Sequence, residues 1–540
     1  MKNESGYTLL TVMLIILVFT TLGAVLLTVT IGSTQRTELR EDTIVEDSDA
    51  IRAIEQGTVI LKYQIQNNSF SSPGDIYQSE LDQIISSLTS EGLNINVIDR
   101  SSEYDIDLNN VYTRVYEISS TGYSEDYAKL VYITAMPSFL KYAAGARDEL
   151  SLHGGMYIDG DIYANNQLNV SNEAKYIYEG RLNTVKNDFP TVSERSSLVL
   201  EESGIASSCD YTDGFNCFET TGGTFTKSPN WQQLQLETLL SGSFSYQSPA
   251  LGEATEYIDV KLMPTVTSKI QKIDSAFTET EADLIAEGDS IIAIRNYPNT
   301  AAYKNALSDD TVLHEENVIT SVSSDKNHVY LSDAFLNTDS LSVDSDKWVV
   351  VMGDLILESA AGETADISAN IIVFGDVTLR GDLAMDSVVY ALGETTVFNA
   401  NITRPAGSGE LILMSGGRLD IALLNSFSNP ADFTEFPNQL NAFLYTDENA
   451  EIYAVGSYVY IDGGVFSKGS LEFNSYRGDT SEGPDDIIFT ATPEDSAAFQ
   501  KSRLFVRNNQ RLFLEKLQAL PEVEKLDVIE DTYRKINREE

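Results

Sequence analysis

Hydrophobic and polar positions fall into three regimes along the chain, and each predicts a different kind of element. From Tyr7 to Ile31 the residues are uncharged and mostly apolar, beginning Tyr7-Thr8-Leu9-Leu10-Thr11-Val12-Met13-Leu14-Ile15-Ile16-Leu17-Val18-Phe19. This run of 25 residues exceeds the roughly 20 needed to cross a bilayer core as a helix, so it predicts a transmembrane helix over 7–31. The polar stretch that follows keeps a helical period. Ile44, Ile51, Ile54, Thr58, Leu61 and Ile65 are spaced by 7, 3, 4, 3 and 4 residues, with acids and amides between them. That spacing lines up one apolar stripe on an amphipathic continuation, 32–67, and the stripe needs a sheet to face.

The second regime, 68–145, reads as a small α+β unit. Ser72-Pro73-Gly74-Asp75 is a turn signal, 76–88 predicts a short helix, and 93–98, 111–119 and 128–135 predict strands. Val111, Thr113, Val115 and Glu117 alternate with Tyr112, Arg114, Tyr116 and Ile118. Such alternation suits a half-exposed antiparallel strand.

In the third regime short strands are broken by glycine corners. Tyr157-Ile158-Asp159-Gly160-Asp161-Ile162-Tyr163 is matched by Tyr460-Ile461-Asp462-Gly463-Gly464-Val465-Phe466 at an offset of 303 residues, and Leu168 by Leu471 at the same offset. Between them lie Val349-Val350-Val351-Met352-Gly353-Asp354, Ile371-Ile372-Val373-Phe374-Gly375-Asp376, Val388-Val389-Tyr390-Ala391-Leu392-Gly393-Glu394 and Leu411-Ile412-Leu413-Met414-Ser415-Gly416, whose glycines are 22, 18 and 23 residues apart. A short strand, a corner and another strand at that period predict stacked coils. The expected fold is therefore mainly β: a parallel, right-handed β-helix with first coils at 146–180 and main coils at 348–484. The span 181–347 breaks the period and reads as an α/β insertion, with helices at 231–240 and 268–287. Beyond 485, a strand at 502–507, a helix at 511–520 stopped by Pro521 and a strand at 526–533 read as a C-terminal cap, 485–540.

Charge narrows the partners. Acidic residues number 82 against 36 basic, a net charge of −46, so nucleic-acid phosphates are repelled and a nucleic-acid partner is excluded. The acids are scattered as pairs such as Glu41-Asp42, Glu201-Glu202 and Asp485-Asp486 in polar stretches. That pattern fits a solvated face better than the six to eight converging oxygens of a calcium site. Cys209 and Cys217 are the two cysteines. Outside the cell they are candidates for a disulfide, with two free thiols as the alternative, and a metal site lacks the remaining ligands.

The N-terminus carries a resemblance. Ser5-Gly6-Tyr7-Thr8-Leu9-Leu10 resembles the leader of type IV prepilins and pseudopilins, a short polar segment ending in Gly before an aromatic residue that opens an apolar helix. The resemblance implies a leader, 1–6, that a prepilin peptidase cuts between Gly6 and Tyr7, leaving Tyr7 as an N-methylated terminus. The family has Glu at the fifth mature position, where this chain has Thr11. That departure implies a minor rather than a self-polymerising subunit. With Pro137-Ser138-Phe139-Leu140-Lys141-Tyr142 and Gly160-Asp161-Ile162-Tyr163-Ala164-Asn165-Asn166, the chain resembles PilX-type minor pilins of Gram-positive bacteria. What this implies is a membrane-anchored structural or adhesive component of a type IV pilus or related secretion machine. Its partners are then the membrane, other pilin subunits through the N-terminal helix, and the peptidase. The implied location is the cell membrane, single-pass, with the N-terminus cytoplasmic before processing and the body extracellular.

Catalytic motifs are absent: no nucleophile elbow, no zinc-protease helix, no phosphate-cradling loop, and three histidines, His153, His314 and His328. His153, before Gly154-Gly155, reads as a turn residue. No enzyme, cofactor or metal is expected. The alternative is an anchored β-helical carbohydrate-active enzyme or an adhesin for a surface polysaccharide. It would gather Asp159, Asp161, Asp354 and Asp376 with Arg380, Arg404 or Arg418 in one groove. Each of those acids adjoins a corner glycine, where Asp is favoured for its tolerance of tight turns, so the turn reading is preferred.

Overall fold

A computed structural model describes residues 5–67, 75–90, 92–104, 113–121, 126–134, 137–201, 203–212, 215–252, 260, 262–273, 310–405, 409–422, 427, 429, 439–491, 501–509, 526–530 and 533–536. The chain divides into two units. One combines Met1–Ala135 with Glu524–Glu540, and the other is Met136–Val523.

The first unit is a helix on a sheet. Helix α1, Ser5–Asn67, packs its C-terminal part on the strands Thr113–Ser120, Asp126–Thr134 and Asp527–Glu530, and on helix α2, Asp75–Ser90. Of the expected stripe, Ile54, Thr58, Leu61 and Ile65 are fully enclosed, joined by Ala50 and Ala53, while Ile51 is half-buried and the Ile44 side chain lies outside the described residues. Gly57 lets the helix approach closely, because a Cβ there would lie 2.5 Å from Ile95 Cδ1. The sheet is antiparallel throughout, in the order Ile95–Asp99, Thr113–Ser120, Asp126–Thr134, then Asp527–Glu530 and Arg534–Ile536 side by side along the last edge. The C-terminal strands therefore belong to this sheet and not to a cap on the coils. They are tied in by Lys129, which pairs with Glu530 and Glu55, and by Glu117, which pairs with Arg534 and Arg100.

The transmembrane reading of 7–31 is corrected. Among the described residues no helix is long and apolar enough to cross a membrane. Further along, α1 runs on into charged sequence at Arg36, Glu38, Arg40, Glu41 and Asp42.

The second unit is a three-faced parallel β-helix. On its first face Val349, Ile371, Val389, Leu413, Leu444, Val465, Ala144, Ile162 and Leu198 stand at one level in successive strands. On the second, Leu355, Val377, Thr395, Leu419, Ala450, Leu471, Leu150, Leu168 and Ala206 do the same. The third runs Ala365, Leu383, Ile402, Leu440, Ile461, Val506, Ile158 and Val192. Most of these form one continuous core, and each enclosed Val, Leu or Ile contributes roughly 1.5–3 kcal/mol relative to exposure.

The three ladders run upward in sequence to Val465, Leu471 and Val506 and then restart at Ala144, Leu150 and Ile158. The stack is permuted. Within it lies a composite coil, with Leu504–Asn508 supplying the third face and Tyr142–Ala146 and Glu149–Gly154 the first and second. The chain enters and leaves the body side by side there, Asn508 Nδ2 donating to Leu140 O at 3.2 Å. The covalent link between the two physical ends, Cys209 and Thr311, is the excursion between them. Its helix α4, Leu262–Ile273, covers part of the outer side of the first face, where the Lys269 ammonium sits 5.9 Å from the Trp348 ring. Outward residues of this face such as Ile372, Tyr390 and Met414 are buried too, and Tyr445 is covered by the Phe139 and Phe466 rings at 4.9 and 6.3 Å, so the strands read as unbroken apolar runs.

Strands inside 181–347 belong to this stack. Thr191–Val192, Ser197–Leu200 and Ile205–Cys209 extend it at one end, and Thr311–His314 through Ser340–Ser342 at the other. The helix expected at 231–240 is instead a strand, Gln232–Leu234, and a shorter helix α3, Leu236–Gly242. Of the helix expected at 268–287, residues 268–273 lie in α4, which begins earlier, at Leu262, and 274–287 lie outside the described residues. The helix expected at 511–520 lies outside the described residues.

Candidate functional site

The acids singled out in the sequence are engaged by the backbone and by arginines. Asp354 Oδ1 accepts the Asp376 N–H at 2.8 Å, and Asp376 Oδ1 accepts the Glu394 N–H at 2.8 Å. Each corner carboxylate thus satisfies the next coil's corner, and the glycine there leaves it room: a Cβ on Gly375 would lie 2.1 Å from Asp354 Oδ1. Asp161 Oδ1 accepts the Ser197 N–H at 2.9 Å and its hydroxyl at 2.7 Å. Asp159 is held in bidentate fashion by Arg195 at 2.7 and 2.9 Å. The three arginines go to three places. Arg380 lies 5.4 Å over the Phe398 ring, Arg404 donates to Asp462 at 3.0 Å, and Arg418 donates to Asp420 at 2.8 Å and Glu451 at 3.1 Å.

The two matched motifs flank the composite coil. Tyr460, Phe505 and Tyr157 form a ladder with centroid spacings of 5.2 and 4.7 Å. Two residues on, Arg507 stands between Asp462 and Asp159 and grips Asp462 at 3.0 and 2.9 Å. Beside them Glu410 is enclosed, 3.5 Å from Arg404, and accepts the Asn509 amide at 2.8 Å. Burial, opposed by Arg404 and assisted by Asp462, pushes the Glu410 carboxyl up to about 8. It is therefore largely protonated at neutral pH. The group closes the seam where the chain enters and leaves.

A second charged row lies on the second face and was not anticipated. Asp420, Glu451 and Glu472 occupy one level in successive coils. Arg418 bridges the first two and Lys175 pairs with Glu472. Burial, with Glu472 adding to it, raises the Glu451 carboxyl. The clue was Arg418-Leu419-Asp420, Glu451-Ile452-Tyr453 and Glu472-Phe473-Asn474, read as outward positions of equivalent strands. His153 is not in a turn. It sits in the strand Glu149–Gly154, fully buried, bonded to the Ser171 hydroxyl at 2.9 Å and edge-on to Phe218 and Trp231. Burial, then Lys175 and Lys227, depress its pKa well below 6.5, so it is neutral at pH 7.

An open cavity lies at the end of the stack formed by Ile205–Cys209. One edge of that strand pairs with Gln167–Ser171, and the other is covered by the antiparallel strand Gln232–Leu234. Helix α3 then lays Leu239, fully buried, on the end of the core, with Leu234, Leu236, Leu240 and Phe244 around it. Cys209 and Cys217 are joined as a disulfide. The hairpin Phe218–Thr221 and Thr224–Lys227 follows, and Trp231 Nε1 donates to Cys217 O at 2.8 Å. Between this stapled loop and α3 lies a cavity of 460 Å³ bounded by Phe189, Asp210, Phe215, Asn230, Gln232 and Thr238, among others. That volume falls within the ordinary range for a small-molecule site, about 300–1,000 Å³. Nothing in the sequence marks it, because its walls come from a strand end, a loop and a helix that only the capped end brings together. Gly6, Tyr7 and Thr11 lie on the backbone of α1, and their side chains are outside the described residues.

The chain is thus a parallel β-helix carried as an insertion between neighbouring strands of a helix-and-sheet unit. No family model matches it, and no curated protein matches it in sequence. Among solved structures it is weakly similar to the competence-associated pilin ComZ from Thermus thermophilus, at 10% identity and a TM-score of 0.21, over 85% of this chain and 94% of that one. A score of that size does not establish a common fold.

Proposed function

We propose that the protein is a pilus-related surface protein, a minor-pilin-like subunit of the PilX type that displays its β-helix outside the cell. The observation that supports this reading is the covalent order. Helix α1 packs on a sheet that is completed by the chain's own last strands, Asp527–Glu530 and Arg534–Ile536, and the whole β-helix is inserted before them. Such a unit is a self-contained carrier, and the coils are what it presents. The prepilin-like leader supplies the machinery: a peptidase acting between Gly6 and Tyr7, and other pilin subunits along α1. The body is taken to be non-catalytic. Asp354, Asp376, Asp161 and Asp159 are committed to backbone groups or to Arg195, as structural acids are. The test is intact-mass measurement of the protein isolated from its own cells. Loss of Met1 to Gly6 is expected; a chain retaining the leader overturns the pilin reading.

A further inference from the structure

We propose that the cavity beside the Cys209–Cys217 disulfide is a binding site for a neutral saccharide of one or two sugar rings. This does not depend on how the N-terminus is processed. The walls are fixed before any ligand arrives. The disulfide closes the loop on one side, three backbone-paired positions hold Gln232–Leu234 on Ala206–Ser208, and the enclosed hydroxyls of Ser208 and Ser243 bond at 2.7 Å. Preorganisation of this kind reduces the ordering cost of binding.

The lining matches the chemistry of a sugar. Phe215, 57% exposed, offers an apolar face on which ring C–H groups can lie. Around it stand groups suited to hydroxyls. Asp210, exposed in the lining, accepts the Asn172 amide with Oδ1 at 2.6 Å, which fixes the carboxylate. Asn230 spends an amide N–H on Asn216 O at 2.8 Å and keeps its carbonyl oxygen. Gln232 and Thr238 add an exposed amide and a hydroxyl. A carboxylate acceptor with amides on either side matches adjacent hydroxyls, which donate and accept at once. The same lining disfavours an acidic sugar: among the described residues it holds no Lys or Arg, it includes Asp210, and the chain's net charge is −46. The volume of 460 Å³ leaves room for about one or two hexose rings.

The test uses the full chain, titrated with methyl glucoside, methyl galactoside, N-acetylglucosamine and their disaccharides, and with glucuronate, followed by calorimetry and saturation-transfer NMR. Saturable binding of at least one neutral sugar is expected. Asp210→Asn should weaken it by about 10-fold or more, the loss of a charge-assisted hydrogen bond, and Phe215→Ala by about 5-fold. Melting curves check that both variants, at exposed positions, keep the fold. Absence of saturable binding to every neutral sugar overturns the proposal. So does binding unchanged in both folded variants, or glucuronate binding more tightly than any neutral sugar.

Discussion

At one end of the coil stack, Ile205–Cys209 is covered by an antiparallel strand, a helix that drives Leu239 into the core, and a disulfide-closed loop. At the other, the described coils finish in Thr311–His314 and Val318–Ile319, held by rings. There His314 stacks on Tyr330 at 4.3 Å, His314 Nε2 and His328 Nδ1 share a proton at 3.0 Å, and His328 Nε2 donates to Ser323 O at 2.8 Å. In a stack where each coil touches only its neighbours, the terminal coils are the weakest points. The first end is secured by packing and a covalent bond. The second is secured by a hydrogen-bonded pair of imidazoles and a stacked tyrosine ring.

Three perturbations should separate the two ends. The largest effect is expected from Leu239→Ala, about 3 kcal/mol, because the fully buried side chain plugs the end of the core. Urea unfolding should register the loss, and hydrogen exchange should speed up at Ile205–Cys209 while Asn327–Tyr330 stays protected. Equal deprotection at both places would mean that the stack melts as one unit. Replacing both Cys209 and Cys217 by Ser should cost about 2.5 kcal/mol, the closure entropy of so short a loop. The same exchange measurement should again change at the capped end alone.

The smallest effect is acid lability. Burial, and next His328, hold His314 below its ordinary 6.5. The unfolded chain therefore binds a proton that the folded chain refuses, and stability should fall as pH drops below about 6.5. His153 has the same sign beside the disulfide hairpin, so a bulk melting curve mixes the two. His314→Phe should abolish only the acid-driven exchange at Asn327–Tyr330. Glu410 works in the opposite sense: its stabilisation is complete below 4.5 and is lost as pH rises through about 8. Raising the pH should thus loosen the seam and lowering it should loosen the histidine end. A stability profile rising steadily from pH 5 to 9 would contradict that division.

The coils were legible where the corner chemistry is explicit. Gly353-Asp354 and Gly375-Asp376 announce themselves because each Asp packs where a side chain would otherwise stand. The coil Asn327–Tyr330 was missed because it lacks that corner. Ser332 occupies the place that Gly353 takes in the next coil, so the Gly-Asp corner signal is missing from its sequence. The permutation was hidden from any local reading. Matching Tyr157 to Tyr460 tells which strands are alike, not that Phe505 lies between them. The closing strands of the first unit were equally invisible, because Val528 meets Ile133 only through the fold. At 231–240, leucines at 234, 236, 239 and 240 satisfy either period, and pairing with Ala206–Ser208 decided the first part in favour of a strand.

The side-by-side arrangement of Leu140 and Asn508 has a consequence under tension. A pull on the capped end has two covalent routes back to the first unit. One runs directly through the coils from Cys209 to Tyr142. The other is the long detour through the excursion and every coil from Thr311 to Asn508. The short route tightens first, so the coils of the 300s and 400s are spared stretching until it gives way. A molecule wired like this holds its slack in parallel, and the first extension it yields should come from the few coils nearest the cap.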